Sequence, residues 1–222
     1  MSTLVIVRKG THAAIASDSL SSQGSIKVPR RNKANYHKIH CFKDAYIGFT
    51  GWCVFHNIFE SVMERYPGDL DFRSRRHVFE TFQKLHRRLK EDYFLETREK
   101  DDQPLESSQW DCLIAAPSGI FEISSNRGVY EYSTFWADGS GIGFALGAMH
   151  ATYDQHDDPA AIARAGVEAA CEFDDGSGLP VQVFTVGLNA GPIAAEENSQ
   201  LSATLRSGAS SPTPKKRGAR RR

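Results

Sequence analysis

The chain has 222 residues, 40% of them hydrophobic and 24% charged, with a formal net charge of zero, the composition of an ordinary soluble globular protein. The neutrality is a balance of opposites. Residues 191–222 carry seven Lys/Arg against Glu196 and Glu197, a net of +5, and residues 1–190 carry −5. No stretch approaches the ~18 apolar residues of a membrane span, and the opening apolar run is far shorter than the roughly 7–15 residues of a signal-peptide core.

The first segment, TLVIVRKGTHAAIASDS, reads as a hairpin turning at Lys9-Gly10-Thr11-His12. The next, SLSSQGSIKVPRRNKANY, reads as an irregular loop with pairing segments, and HKIHCF and DAYIGFTG as two further strands. From Trp52 the period changes, with Phe55, Ile58, Phe59, Val62 and Met63 at helical spacing. A second helix over 74–94 puts Val78, Phe82, Leu85 and Leu89 on one stripe.

After a polar linker, TREKDDQPLESSQ, the β pattern returns in DCLIAAPSGIFEIS, with Pro-Ser-Gly as its turn, and in VYEYSTFWA. GIGFALGAMHATY and PAAIARAGVEAACEF read as helices, the second opened by Asp157-Asp158, whose charge suits the helix dipole. LPVQVFTVGL reads as a final strand. Two strand groups with helix pairs between them predict an α+β layered sandwich rather than a parallel βαβ sheet.

The domain is expected over residues 2–188. Residues 189–222 are rich in Ser, Ala, Pro and Gly and lack aromatics; they cannot bury enough apolar surface to offset their ordering entropy, so a disordered basic tail is expected. It reads as a solubilising appendage, with a tether for a partner or nucleic acid and a gate over a pore as alternatives.

Cys41, Cys53, Cys112 and Cys171 are widely spaced with no CxxC pair. They read as reduced, mostly buried thiols of a cytoplasmic protein. No HExxH-type spacing occurs among the eight histidines, and neither a metal nor a cofactor is expected. GSGIGFALG fails the GxGxxG template in every register and reads as a strand-to-helix turn whose small residues allow close packing. The basic helix RSRRHVFETFQKLHRRLK has interspersed acids and reads as a solvated face rather than a nucleic-acid surface. Cys53 and His56 would share one helix face, a spacing that a core cysteine satisfies without any thiol chemistry.

The start of the chain holds the candidate chemistry. Met1 precedes the small residue Ser2, and initiator methionines are commonly removed in that setting. The chain would then open with a serine carrying a free α-amine beside its hydroxyl. An α-amine titrates near pH 7.7–8.0 and can serve as general base to the adjacent hydroxyl. That unit works only if the terminus is held rigidly, which an immediate strand would do.

Four segments, STLVIVRKGTHAAIASDS, HKIHCFKDAYIGFTGW, ADGSGIGFALGAM and AGVEAACEFDDGSGLP, resemble those of the proteasome-type N-terminal nucleophile peptidases, in particular HslV and the betaproteobacterial proteasome homologues (BPH). The resemblance covers residues 2–187 and implies a four-layer αββα sandwich. It implies Ser2 as nucleophile, where the family usually has threonine, with Asp18 and Lys38 as the acidic and basic residues beside it. Lys33 is the competing assignment for the lysine; the apolar residues after Lys38 and the distance to Gly51 favour Lys38. Gly51 matches the oxyanion glycine, and Ser140, Asp174 and Ser177 match the polar cluster around the α-amine. Ser22 and its loop would pair with extended substrate by β-addition, and a specificity pocket near Phe49 and Cys53 suggests apolar P1 residues.

The function implied is a self-compartmentalising endopeptidase acting on proteins and peptides through an acyl-enzyme. It would assemble as a homo-oligomeric double ring, a tetradecamer with a dodecamer as the alternative, and an AAA+ unfoldase partner stays open. A weakly active ring scaffold of the same fold and a small-molecule amidase are the competing functions.

Overall fold

The opening apolar run is a strand covered on both faces. The computed structural model describes residues 2–28, 30–98 and 103–189. In chain order its elements are β1 (Thr3–Lys9), β2 (His12–Ser17), β3 (Ser21–Gln23), β4 (Ile26–Val28), β5 (Ile39–Phe42) and β6 (Ala45–Gly51). Then come α1 (Val54–Arg65), α2 (Arg75–Tyr93), β7 (Trp110–Ala116), β8 (Gly119–Ile123), β9 (Val129–Tyr132) and β10 (Phe135–Gly139). The last are α3 (Ile142–Thr152), α4 (Pro159–Phe173) and β11 (Gln182–Gly187).

One sheet has the order β10-β1-β2-β11 and a second the order β5-β6-β7-β8-β9, while β3 and β4 form a separate ribbon. Because successive side chains of a strand point to opposite faces, β1 divides cleanly. Val5 and Val7, with Ala14 and Ala16 of β2, pack against Met149 of α3 and Ile162 and Val167 of α4. Leu4 and Ile6, with Ala13 and Ile15, pack against Leu113, Ala115 and Ile120 of the second sheet. The outer face of that sheet, including Ile47, Phe49 and Phe121, is covered by Phe55, Phe59 and Val62 of α1 and Val78, Phe82 and Leu85 of α2.

The layers are therefore αββα, as expected. A strand buried on both sides has no solvent face to mark, so it reads as a continuous apolar run. Leu4, Val5, Ile6 and Val7 are each fully buried, and burial of side chains of this size stabilises by roughly 1.5–3 kcal/mol each. That fixes β1 up to its first residue.

Local signals set the helix starts. The Ser74 side chain accepts from His77 N–H at 3.4 Å and opens α2, and Asp158 accepts from Ala160 N–H at 2.9 Å and opens α4. Exposed basic residues of α2 pair along the helix, Arg76 with Glu80 and Arg87 with Glu91.

Two expectations need correction. VYEYSTFWA is not one strand: it breaks at Ser133-Thr134, so that β9 edges one sheet and β10 edges the other. Tyr132 and Trp136 stack across the break at 4.9 Å. The cysteines are free, but Cys41 and Cys53 are exposed and only Cys112 is buried, because β5 turns Cys41 outward and Cys53 caps the exposed start of α1. The tail reading, over residues 189–222, lies outside the described residues from 190 onward. Among those described, no helix is long and apolar enough to cross a membrane.

Candidate active site

The peptide joining Ser2 to Thr3 is held from both sides. Thr3 N–H donates to Asp18 Oδ1 at 3.0 Å, and the Ser2 carbonyl accepts from Ser140 N–H at 2.9 Å. Ser140 Oγ stands 3.4 Å from the same carbonyl. The approach is possible only because residue 139 is glycine. Its φ is +99°, and a Cβ there would lie 1.9 Å from the Ser2 carbonyl oxygen. At Gly141 a Cβ would lie 2.3 Å from Thr3 Oγ1 and 2.6 Å from Ala170 Cβ. The Gly-Ser-Gly turn between β10 and α3 thus brings the helix layer down onto the first residues of β1.

Asp18 follows β2 and is fully buried. Its carboxylate accepts from Lys38 Nζ at 2.6 Å, Leu20 N–H at 2.9 Å and Gly178 N–H at 3.1 Å, besides Thr3 N–H. Four donors compensate its burial. Lys38 is 6% exposed. Burial pushes its pKa down, and the attraction and hydrogen bond of Asp18 only partly restore it, so the net shift is downward. Lys33 does not reach Asp18: its Nζ lies 3.3 Å from Ser21 Oγ.

A third group closes the far side. Asp174 Oδ2 accepts from Ser140 Oγ at 2.8 Å and from Ser177 Oγ at 2.6 Å. Since the Ser177 proton points to Asp174, Thr3 Oγ1 donates to Ser177 Oγ in their 2.7 Å contact. Burial raises the Asp174 pKa, but hydrogen bonds from Ser177, Ser140 and Gly176 N–H outweigh it and hold the carboxyl below its ordinary range.

Ser2, Ser22, Lys38, Gly51 and Cys53 line one cleft, together with Lys33, His37 and His56. Gly51 ends β6 with φ +110°, and the preceding Thr50 hydroxyl donates to Asp138 of β10, tying the two strand ends together beside Ser2. Phe49 is placed differently from expectation. It is 3% exposed and packs on Phe59 and Trp110 at ring distances of 4.8 and 5.1 Å, so it supports the cleft from behind.

The wall there is a histidine pair, His40 Nε2 and His56 Nδ1, 3.0 Å apart. Burial, with repulsion from His37, lowers the His40 pKa to about 4. Burial, with repulsion from His40, Lys38 and Lys33, lowers that of His56 to about 3. Both rings are neutral at pH 7.

Sequence reasoning missed Gly139, Gly141, the Thr50–Asp138 link and the histidine pair; only the small-residue turn had a sequence signal. A larger cavity, of about 520 Å³, is lined by residues including Phe42, Pro67, Asp71 and Phe72 and shares none with the cleft. Among the described residues no group of three His, Cys, Asp or Glu could hold a metal ion.

Comparison with known proteins gives relatives of known structure. Thiobacillus denitrificans BPH is 41% identical over 85% of this chain and 100% of its own, with a TM-score of 0.78. The same protein in complex with epoxomicin is 42% identical over 84% of this chain and 99% of its own, with a TM-score of 0.76. Eukaryotic HslV from Trypanosoma brucei, at 22% identity over 83% of this chain and 99% of its own and a TM-score of 0.60, shares the fold. No family model and no curated protein matches the sequence.

Proposed function

The chain belongs to the proteasome-type N-terminal nucleophile peptidases, alongside BPH, and on that premise we propose that Ser2, exposed as the first residue by loss of Met1, is the nucleophile of an endopeptidase. The supporting observation is the two-sided grip on the Ser2–Thr3 peptide, by Asp18 on its N–H and by Ser140 on its carbonyl. A dispensable stub has no need of such a grip. Residue 2 is thereby given a single position from which both its hydroxyl and its amine can act.

In the reaction proposed, Ser2 Oγ attacks the scissile carbonyl carbon while its proton passes to the Ser2 α-amine. Gly51 N–H stabilises the oxyanion. Collapse breaks the C–N bond, and the ammonium returns the proton to the departing amine, leaving an ester on Ser2. Water, deprotonated by the same amine, then hydrolyses the ester. Lys38 and Asp18 set the field around the hydroxyl and amine: the lysine is a buried cation whose charge disfavours protonation of its neighbours. The Asp174–Ser140–Ser177 cluster orients the amine. Epoxomicin bound to the T. denitrificans protein is consistent with this chemistry, since a peptide epoxyketone carries two electrophiles suited to a hydroxyl and an amine on one residue.

Serine in place of threonine lacks the methyl that restricts χ1. Less pre-positioning and a slower acylation are expected, not loss of the reaction. The working form proposed is a homo-oligomeric double ring enclosing the clefts, as a tetradecamer of roughly 340 kDa from a 24.6 kDa chain, against roughly 300 kDa for a dodecamer. Protein and peptide chains are the proposed substrates, in a cytoplasmic setting.

The test is hydrolysis of an unstructured protein by preparations whose Met1 content is read from intact mass. Activity should scale with the Met1-free fraction, vanish in Ser2→Ala and persist or rise in Ser2→Thr. Activity that survives Ser2→Ala overturns the assignment, and folded Met1-free protein without hydrolysis favours the ring-scaffold reading.

A further inference from the structure

We propose that the cleft beside Ser2 selects substrates with an acidic side chain at the residue whose carbonyl is attacked, and that Lys33 and His56 are the residues that select it. This rests on Ser2 being the nucleophile, and it replaces the apolar preference expected from the sequence. The cleft that contains Ser2 and Gly51 is also lined by Lys33, His37, Lys38 and His56, and, among the described residues, by no aspartate or glutamate. An acyl group bonded to Ser2 puts its first side chain into that surface.

The charges on it are not equivalent. Lys38 is neutralised from within by Asp18 at 2.6 Å. Lys33 is only half-buried and makes no ion pair among the described residues, where its ammonium meets the neutral Ser21 hydroxyl at 3.3 Å. Among the described residues the cleft therefore holds one cation, Lys33, without an acidic partner. Phe49, the large apolar side chain that would have favoured an apolar occupant, is sealed in the core.

In one of its two tautomers the histidine pair adds a donor. His56 Nδ1 meets His40 Nε2 at 3.0 Å, with one proton shared between those two atoms. When His40 donates it, the neutral His56 ring carries its own proton on Nε2, the remaining ring nitrogen; a carboxylate in the cleft favours that arrangement, and Glu60, 3.8 Å from His40 Nδ1, favours the opposite one. The His56 pKa is lowered first by burial and by His40, with Lys38 and Lys33 adding repulsion of the same sign. A carboxylate there would form charge-assisted hydrogen bonds, and one with both an ammonium and an imidazole N–H would be distinguished from its neutral amide.

The experiment uses three peptide epoxyketones that differ only at P1, glutamate, glutamine or leucine, on full-length Met1-free protein, with adduct formation followed by intact mass. Glutamate should label at least tenfold faster than isosteric glutamine and faster than leucine. The glutamate-to-glutamine ratio should fall at least fivefold in Lys33→Gln and shrink with rising salt, as a partly exposed charge pair does. Labelling by leucine equal to or faster than glutamate, or a ratio unchanged in Lys33→Gln, overturns the acidic preference and leaves Ser2 as nucleophile standing. No labelling of Ser2 by any of the three overturns the nucleophile assignment, and the preference with it.

Discussion

Replacing Asp18 by asparagine changes one oxygen to an amide nitrogen in a site with no exposure. Oδ1 faces Lys38 Nζ and Thr3 N–H, and Oδ2 faces Leu20 and Gly178 N–H. Whichever way the amide turns, its NH2 meets donors, and the Lys38 ammonium loses its counter-charge. Attraction between unit charges at 2.6 Å is about 6 kcal/mol at an effective dielectric of 20. Burial has already taken up part of that, so the expected net cost of breaking the pair is about 3–5 kcal/mol. The assay is urea unfolding at one fixed protein concentration, because assembly makes stability concentration-dependent. Lys38→Met should cost less than Asp18→Asn, and the double variant should regain about 2 kcal/mol over Asp18→Asn alone, since no buried ammonium is left uncompensated. Peptide hydrolysis should fall at least 100-fold in all three, so stability returns in the double variant and turnover does not. Single costs that add to within about 0.5 kcal/mol would refute a coupled buried pair.

Gly139→Ala puts a Cβ onto the Ser2 carbonyl and forces alanine into φ +99°. A strain of about 1–3 kcal/mol and at least a tenfold fall in kcat are expected from thermal melts and peptide assays. Leu4→Ala, in the layer between the sheets, should cost about 2–5 kcal/mol and loosen the strand that holds Ser2, lowering kcat as well as Tm. The histidine pair makes the fold acid-sensitive. His40 and His56 are held near pKa 4 and 3, below the usual 6.5, so the unfolded chain binds more protons in that interval. Their contribution is full above pH 6.5 and is lost as pH falls towards 4, by about 3 kcal/mol for His40 alone at 1.36 kcal/mol per unit. Tm measured from pH 7.5 to 5 should fall below 6.5, and His40→Gln should flatten that slope; an unchanged slope would contradict it.

The layers were legible because periodicity reports burial. Helical stripes such as Val78, Phe82, Leu85 and Leu89 mark one covered face, and the unbroken Leu4–Val7 run marks two. What escaped was the crossing from β9 to β10, since Ser133-Thr134 carries no glycine or proline to show the chain changing sheets. In the site, Asp18 lies against Thr3 N–H and Lys38, and Ser140 against the Ser2 carbonyl. The lysine stayed ambiguous because sequence distance does not say which of two cations in a long loop turns inward. Gly139 looked like turn composition, because the oxygen that requires it belongs to residue 2. Phe49, expected near the pocket, packs on the face of β6 that α1 covers, a packing fact that alternation alone does not disclose.

The central claim is that residue 2 supplies both hydroxyl and amine. Its most direct test treats the Met1-free protein with epoxomicin and maps the adduct by peptide mass spectrometry. A single adduct is expected on the N-terminal peptide at Ser2, absent from Ser2→Ala and from chains retaining Met1. An adduct on the exposed Cys53, or hydrolysis in protein whose Ser2 cannot be modified, would contradict it.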